Sequence, residues 1–225
     1  MPASKFLVGA VCAGLLVACS GHTDSSAKPL DITKVFTLRS TLEPNFHVTT
    51  IGPSAIDPKL LRSLAPSRET VDPAECQKHA SGQILPPDLT GKMAVISADG
   101  QGDAFAVTAI ESSGPLPHNF TIPENCRHVT FSGNVAGMDV SGTTDIVGAP
   151  KIDGAETVGM HIKSTIPTIP GMPRQTELYL YGAVLGNYAV EVSAGPRFDP
   201  NQPAAPIDTG RAQKLLTDAV AAIRS

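Results

Sequence analysis

The sequence contains no tryptophan, and aromatic residues make up only 4% of its 225 positions. Aliphatic side chains must therefore fill the core. Charged residues are also scarce, at 17%, whereas glycine and proline number 20 each. A chain of this length can bury one real core. Its composition favours a turn-rich fold of many short strands over a helical bundle.

A basic surface is missing as well. No cluster of Lys and Arg occurs, and the formal net charge at pH 7 is −4. Removing residues 1–18 takes away one base, Lys5, and no acid, which leaves a net charge of −5. Nucleic acids and anionic lipids bind mainly to basic surfaces that release their counterions. The sequence therefore argues against nucleic acid and anionic lipid as partners.

Standard catalytic motifs are absent too. There is no G-x-S-x-G, phosphate-binding loop, H-E-x-x-H or EF-hand loop. The six histidines are scattered: His22, His47, His79, His118, His128 and His161. We therefore predict no catalytic residues, no cofactor and no metal. One alternative stays open, a hydrolase with a non-standard site in which His128 and either Asp139 or Asp145 converge with a serine.

The longest apolar run covers residues 6–17, which are 12 residues and follow Lys5. Crossing a bilayer takes about 20 residues, so this run is typical of a signal peptide. It ends in Leu16-Val17-Ala18-Cys19, which resembles the bacterial lipobox, where a peptidase cuts before a cysteine that carries a diacylglyceryl group. We predict a signal peptide over residues 1–18, lipidation at Cys19, and anchoring at the extracytoplasmic face of the cell membrane.

The remainder of the chain divides into a tether and one domain. Residues 19–29 are polar and small, which predicts a flexible tether. No internal repeat and no second linker follow, so residues 30–225 are expected to form a single domain.

Seven segments of this domain have strand-like patterns. They cover residues 46–51, 92–97, 105–111, 135–147, 156–165, 175–185 and 188–193. Gly186-Asn187 is a good two-residue turn between the last two segments. Moderately short connections favour antiparallel pairing, and we expect a sheet of about five or six strands.

Helical signals appear in three places. Residues 57–64 place leucines at helical spacing after Asp-Pro, and Asp72 followed by Pro73 is typical of a helix start. The clearest helix begins at Asp208 or Thr209. Its apolar residues fall on one face: Ala212, Leu215, Leu216, Ala219, Val220 and Ile223. The sequence thus predicts an α+β fold in which helices, including this C-terminal amphipathic helix, cover one face of the sheet.

Two cysteines remain after lipidation of Cys19 and removal of the signal peptide. In an exported domain, Cys76 and Cys126 most simply form one disulfide. The alternative is a metal site with Cys76-x-x-His79 and Cys126-x-His128 as ligands. This spacing is tighter than that of usual zinc motifs, and an oxidising compartment favours the disulfide.

A proline-rich segment at residues 166–173 (IPTIPGMP) interrupts the strand pattern. Three prolines and a glycine predict a long, rigid hairpin connection. A second interpretation is an apolar loop at the rim of a lipid-binding cleft or at a partner contact.

Several features together resemble a known group of proteins. They are the lipobox, Pro44-Asn45-Phe46, the turn Val71-Asp72-Pro73-Ala74-Glu75-Cys76, a second cysteine near mid-chain, the hairpin from Tyr181 to Val192 and a closing amphipathic helix. The group comprises mycobacterial lipoproteins that are similar to the extracellular sensor domain of the receptor Ser/Thr kinase PknH.

The resemblance implies one α+β domain in an actinobacterial cell envelope, with a cleft for an unknown ligand. The kinase sensor has two disulfides, whereas one cysteine pair is available here. This chain shows no kinase domain, so a signal would have to pass through another protein. We expect a non-enzymatic domain that binds a small amphiphile or an envelope protein. A lipid carrier and a structural adaptor remain the alternatives, and no ligand-binding residue is identified.

Overall fold

The computed structural model describes residues 29–57, 67–77, 85–86, 88–116, 120–135, 138–169, 172–197 and 206–225. Cys19 and the predicted signal peptide lie outside these ranges, as does most of the predicted tether. The nine strands are β1 (His47–Ala55), β2 (Ser67–Asp72), β3 (Gly91–Gly100), β4 (Asp103–Ser112), β5 (His128–Val135), β6 (Met138–Val147), β7 (Glu156–Ile169), β8 (Met172–Leu185) and β9 (Tyr188–Pro196).

All nine strands join one antiparallel sheet in the order β1-β3-β4-β9-β8-β7-β6-β5-β2. Strands β5 to β9 follow one another as a meander, because short connections favour antiparallel neighbours. The last strand of the meander, β9, pairs with β4, and this pairing joins the meander to the β3–β4 hairpin. The sheet edges are therefore β1 and β2.

The predicted fold class is wrong. Within the described residues the fold is mostly β, and the sheet has nine strands rather than five or six. The sequence patterns missed β2 entirely and merged part of β5 with β6. In β5 the buried apolar residues that the structure describes are Val129 and Phe131, and this short alternation was overlooked in the sequence.

The helix predicted to start at Asp72 is present only as one short turn that begins two residues later. Asp72 is the last residue of β2 and pairs with Thr130 of β5. A single 3-10 turn, Ala74–Cys76, follows it. A proline after a polar residue suits a strand end as well as a helix start, and the tertiary pairing decides between them here. The predicted helix at residues 57–64 lies almost wholly outside the described residues.

The predicted C-terminal helix is confirmed. It covers Thr209–Arg224 and is named α2, after the short helix α1 (Arg39–Leu42). The Asp208 side chain caps it by accepting a hydrogen bond from the Arg211 N–H at 2.9 Å. The six apolar residues predicted to form its inner face are all buried. Within the described parts of the chain, no helix has the length and apolar character needed to cross a membrane.

The main core lies between α2 and the middle of the sheet. Helix α2 packs on β4, β8 and β9, and a 3-10 helix, Ile32–Leu38, packs on β3, β4 and α2 before it continues into α1. Beyond β8, towards β5, the same face of the sheet carries polar side chains. The opposite face carries two further apolar clusters, one of which surrounds Cys76 and Cys126.

Candidate functional site

Four neighbouring strands align polar and aromatic side chains in one row on the face that α2 partly covers. His128 of β5 pairs with Asp145 of β6, Asp145 pairs with His161 of β7, and His161 pairs with Tyr179 of β8. Directly paired residues in an antiparallel sheet project to the same face. The row therefore results from strand register and brings together residues that are distant in sequence.

His161 is held from two sides. Its Nε2 lies 2.6 Å from Oε1 of Glu177, and because a carboxylate only accepts hydrogen bonds, Nε2 is the donor. Its ring stacks on that of Tyr179, with centroids 4.1 Å apart and planes within 5°. The side chain of His161 is 12% exposed and that of Glu177 is 43% exposed. The pair thus presents a carboxylate to solvent and keeps the imidazole fixed behind it.

Tyr179 continues this arrangement towards α2. Its ring lies parallel to that of Tyr181, with centroids 6.4 Å apart. Burial is the main cause that raises the pKa of Tyr179, and the negative charge of Glu177 and then Tyr181 add to it. The phenol therefore stays protonated at neutral pH and remains a hydrogen-bond donor.

The hydrolase alternative placed His128 with Asp139 or Asp145. The structure brings His128 to Asp145, with Nδ1 and Oδ1 2.5 Å apart, whereas Asp139 accepts a hydrogen bond from Asn134 at 3.4 Å. Ser141 of β6 shares the face of Asp145 but lies four residues along the strand, or about 13 Å away. That serine cannot act as the nucleophile of this histidine.

A groove with a volume of about 540 Å³ runs beside the row and crosses β6, β7, β8 and β9. Most of its lining side chains form hydrogen bonds readily, and Glu177 connects it to the row. The lining residues are Gly142, Thr143, Lys163, Ser164, Thr165, Gln175, Thr176, Glu177 and Pro196. A concave site of this size with several convergent polar groups is typical of small-ligand binding.

One cation and one anion line the groove. Lys163 and Glu177 are direct cross-strand partners in the β7:β8 hairpin. Glu177 bonds His161, and Lys163 is exposed and forms no ion pair within the residues that the structure describes. The net charge of the groove is therefore close to zero. The Lys163 ammonium, which only donates hydrogen bonds, lies beside the Glu177 carboxylate, which only accepts them.

The proline-rich segment lies where this groove ends, and the predicted break in its strand pattern is wrong. Strand β7 continues to Ile169, β8 begins at Met172, and Pro167 pairs with Pro173. Residues 170–171, between the two strands in sequence, lie outside the described ranges. The hairpin extends past the last β6:β7 pair, which involves Thr165, so the groove lies at the base of this extension.

The predicted disulfide between Cys76 and Cys126 is confirmed, with a Cα–Cα distance of 5.4 Å. Joined sulfurs are no longer thiolates, so the alternative metal site is excluded. His79 lies outside the described residues, as do His22 and His118. Within the described ranges, no three His, Cys, Asp or Glu side chains converge as a metal-binding group.

Sequence patterns missed a further titratable residue, Glu191, in the middle of β9. Val190 and Val192 are buried against α2, which directs Glu191 to the opposite face of the sheet. Its cross-strand partners are Thr108 and Gly182. Burial raises the pKa of Glu191 to about 7. The available sequence signal was a single charged residue between valines in a central strand.

Comparisons with known proteins give a family and a structural relative. A family model described as a domain of unknown function, DUF5642, matches residues 31–224. The crystal structure of an uncharacterized protein from Mycobacterium smegmatis, an Rv0999 ortholog, is 41% identical, with a TM-score of 0.76. The match covers 88% of this chain and 100% of that one. No protein of curated function matches.

Proposed function

This chain belongs to the DUF5642 family, and from that premise we propose that it is a lipid-anchored cell-envelope protein with a non-enzymatic binding domain. The groove across β6 to β9 is its binding site. The observation that carries the proposal is the convergence of hydrogen-bonding side chains in this groove beside the fixed His161–Glu177 pair. Rigid strands hold these groups in place, which reduces the entropy lost on binding.

A binding role fits the histidines better than a catalytic one. The Nε2–H of His161 is committed to Glu177, and the serines that share the face of His128 and Asp145 on β5 and β6 lie about 13 Å away along their strands. Lipid carriage, the alternative, needs a large apolar cavity, whereas this groove is lined by one lysine, one glutamate, one glutamine and four hydroxyl-bearing residues. A polar ligand or an envelope protein is therefore the better occupant.

The membrane anchor rests on the lipobox at Cys19. The relative from Mycobacterium smegmatis supports a mycobacterial origin, and the envelope location is part of our proposal. The finer resemblance, to the sensor domain of the kinase PknH, suggests that ligand binding is coupled to a signal. We propose that this coupling acts through a partner protein.

Lipidation is tested first. We expect Cys19→Ala to move the protein from the membrane fraction to the soluble fraction, because several acyl chains hold a protein at a bilayer almost irreversibly. Fractionation of the native envelope and the mass of the N-terminal peptide measure this. Cys12→Ala, within the predicted signal peptide, is the matched control and should leave anchoring unchanged. A Cys19→Ala protein that stays with membranes contradicts the anchor.

The groove is tested with a charge reversal. The acylated protein is purified from its own envelope as wild type, as Lys163→Glu and as the control Lys34→Glu. Lys34 is exposed on the 3-10 helix, away from the groove. We expect at least one molecule identified by mass spectrometry to accompany the wild type and the control, and to fall at least tenfold with Lys163→Glu. Identical recovery from all three proteins would overturn binding at the groove.

A further inference from the structure

We infer that the groove across β6 to β9 binds an uncharged, hydroxyl-rich chain, that is, a short oligosaccharide. The inference rests on the proposed function of this groove and names its ligand class. Three features of the lining carry it: the paired charges, the unused hydroxyl and amide groups, and the direction of the groove relative to the strands.

The two charges favour a neutral ligand. Lys163 and Glu177 face each other across β7 and β8; an ammonium only donates hydrogen bonds and a carboxylate only accepts them. Neighbouring hydroxyl groups of a sugar can accept from one and donate to the other. An anionic ligand would lie against the Glu177 carboxylate, and a cationic ligand against the Lys163 ammonium. Either ligand would place like charges together and remove water from a charged group without an opposite charge to offset it.

The other polar groups have capacity to spare. The side chains of Ser164 and Thr176 bond each other at 2.6 Å on the opposite face of the sheet from Lys163 and Glu177, so they do not add to this capacity. The side chains of Thr143, Thr165 and Gln175 form no hydrogen bond with any other described residue. Hydroxyl and amide groups both donate and accept. They match ligand hydroxyls, which have the same dual capacity.

The direction of the groove argues against a peptide. Extended peptides are usually recognised by adding a strand to a free sheet edge, where backbone groups pair. Here the groove runs across the strands rather than along one edge. Lys163, Ser164 and Thr165 of β7 pair with both β6 and β8, whereas the groove residues of β8 pair only with β7. Four strands span about 14 Å, which is longer than one sugar ring. Recognition is therefore left to side chains, as an oligosaccharide requires.

Affinity electrophoresis tests the ligand class. The full chain is run in detergent through native gels containing mannan, arabinogalactan, dextran or the anionic polymer hyaluronate. We expect at least one of the three neutral polymers to retard the wild type, and hyaluronate to leave it unaffected. Thr165→Val keeps a β-branched side chain but removes the hydroxyl, and should weaken the retardation roughly tenfold.

Thr50→Val is the matched control, because Thr50 is exposed on β1, far from the groove in the sheet order. Its retardation should equal that of the wild type. The ligand class is overturned if no neutral polymer retards the protein, if hyaluronate alone does, or if Thr165→Val and Thr50→Val behave alike. In each of these cases, the proposed binding function would still hold if a molecule co-purifies with the wild type and is lost with Lys163→Glu. If no such molecule is found, the ligand class and the binding function are both overturned.

Discussion

Replacing both Cys76 and Cys126 with alanine is expected to lower the free energy of unfolding by about 4 kcal/mol, because the disulfide closes a loop of 50 residues in the unfolded chain. In the folded protein the bond links the end of the edge strand β2 to the start of β5. Both cysteines are buried in the second apolar cluster. Loss of the link should therefore loosen this edge of the sheet first.

Urea unfolding of the two proteins, with and without a thiol reductant, measures the effect. The reductant should lower the stability of the wild type and leave the double alanine variant unchanged. The Asn125 side chain donates to Oε1 of Glu75 across the same two segments at 2.9 Å. Asn125→Ala is a useful control, because an exposed hydrogen bond contributes about 1 kcal/mol or less. Equal stability of the double variant and the wild type would show that the loop is already restricted in the unfolded state.

Features encoded over a short stretch of sequence were predictable. Helix α2 repeats its apolar residues with a helical period, and the six residues assigned to its inner face are the ones buried in the structure. The disulfide followed from the number of cysteines left in the exported chain. Strand β2 was missed because Ser67–Asp72 contains a single apolar residue, Val71, and no alternation, so its pairing with β5 is what makes it a strand.

The candidate site depends on register, which composition does not reveal. The pairing of His128 with Asp145 was partly foreseen, whereas the contact of His161 with Glu177 and Tyr179 was not. A signal did exist, since His161 and Tyr179 each lie nine residues from position 170. Interpreting the proline-rich segment as a tight turn between two long strands would have brought them within one residue of register. The irregularity between Pro167 and Ile169 then sets the observed pairing. Treating the segment as a long loop removed that constraint.

The pH dependence of stability is expected to contain a contribution from Glu191 that disfavours folding at neutral pH. The group has a pKa of 4.5 as its ordinary value, and burial raises the pKa in the folded protein to about 7. Between these two values the folded state binds more protons than the unfolded state. The free energy of unfolding therefore falls as the pH rises through this window, by up to about 3 kcal/mol from this residue.

The physical basis is the position of Glu191 in the sheet. Its cross-strand partners, Thr108 and Gly182, carry no charge that could compensate a carboxylate. On the same face, Asp99 of β3 and Glu156 of β7 lie near strand ends, more than about 10 Å away by strand spacing. No described residue forms an ion pair with Glu191. Loss of water around the Glu191 carboxylate is therefore the cause that favours its protonated form.

Glu191→Gln tests this directly, because glutamine has nearly the same shape and no charge to desolvate. Variant and wild type should unfold at similar urea concentrations near pH 4, and the variant should be more stable by up to about 3 kcal/mol near pH 8. Glu156→Gln, at an exposed position on β7, should show a difference of about 0.5 kcal/mol or less at either pH. Other titrating groups affect all three proteins equally, so the pH dependence of the difference isolates Glu191. A constant difference between pH 4 and pH 8 would mean that the carboxylate is solvated in the folded protein.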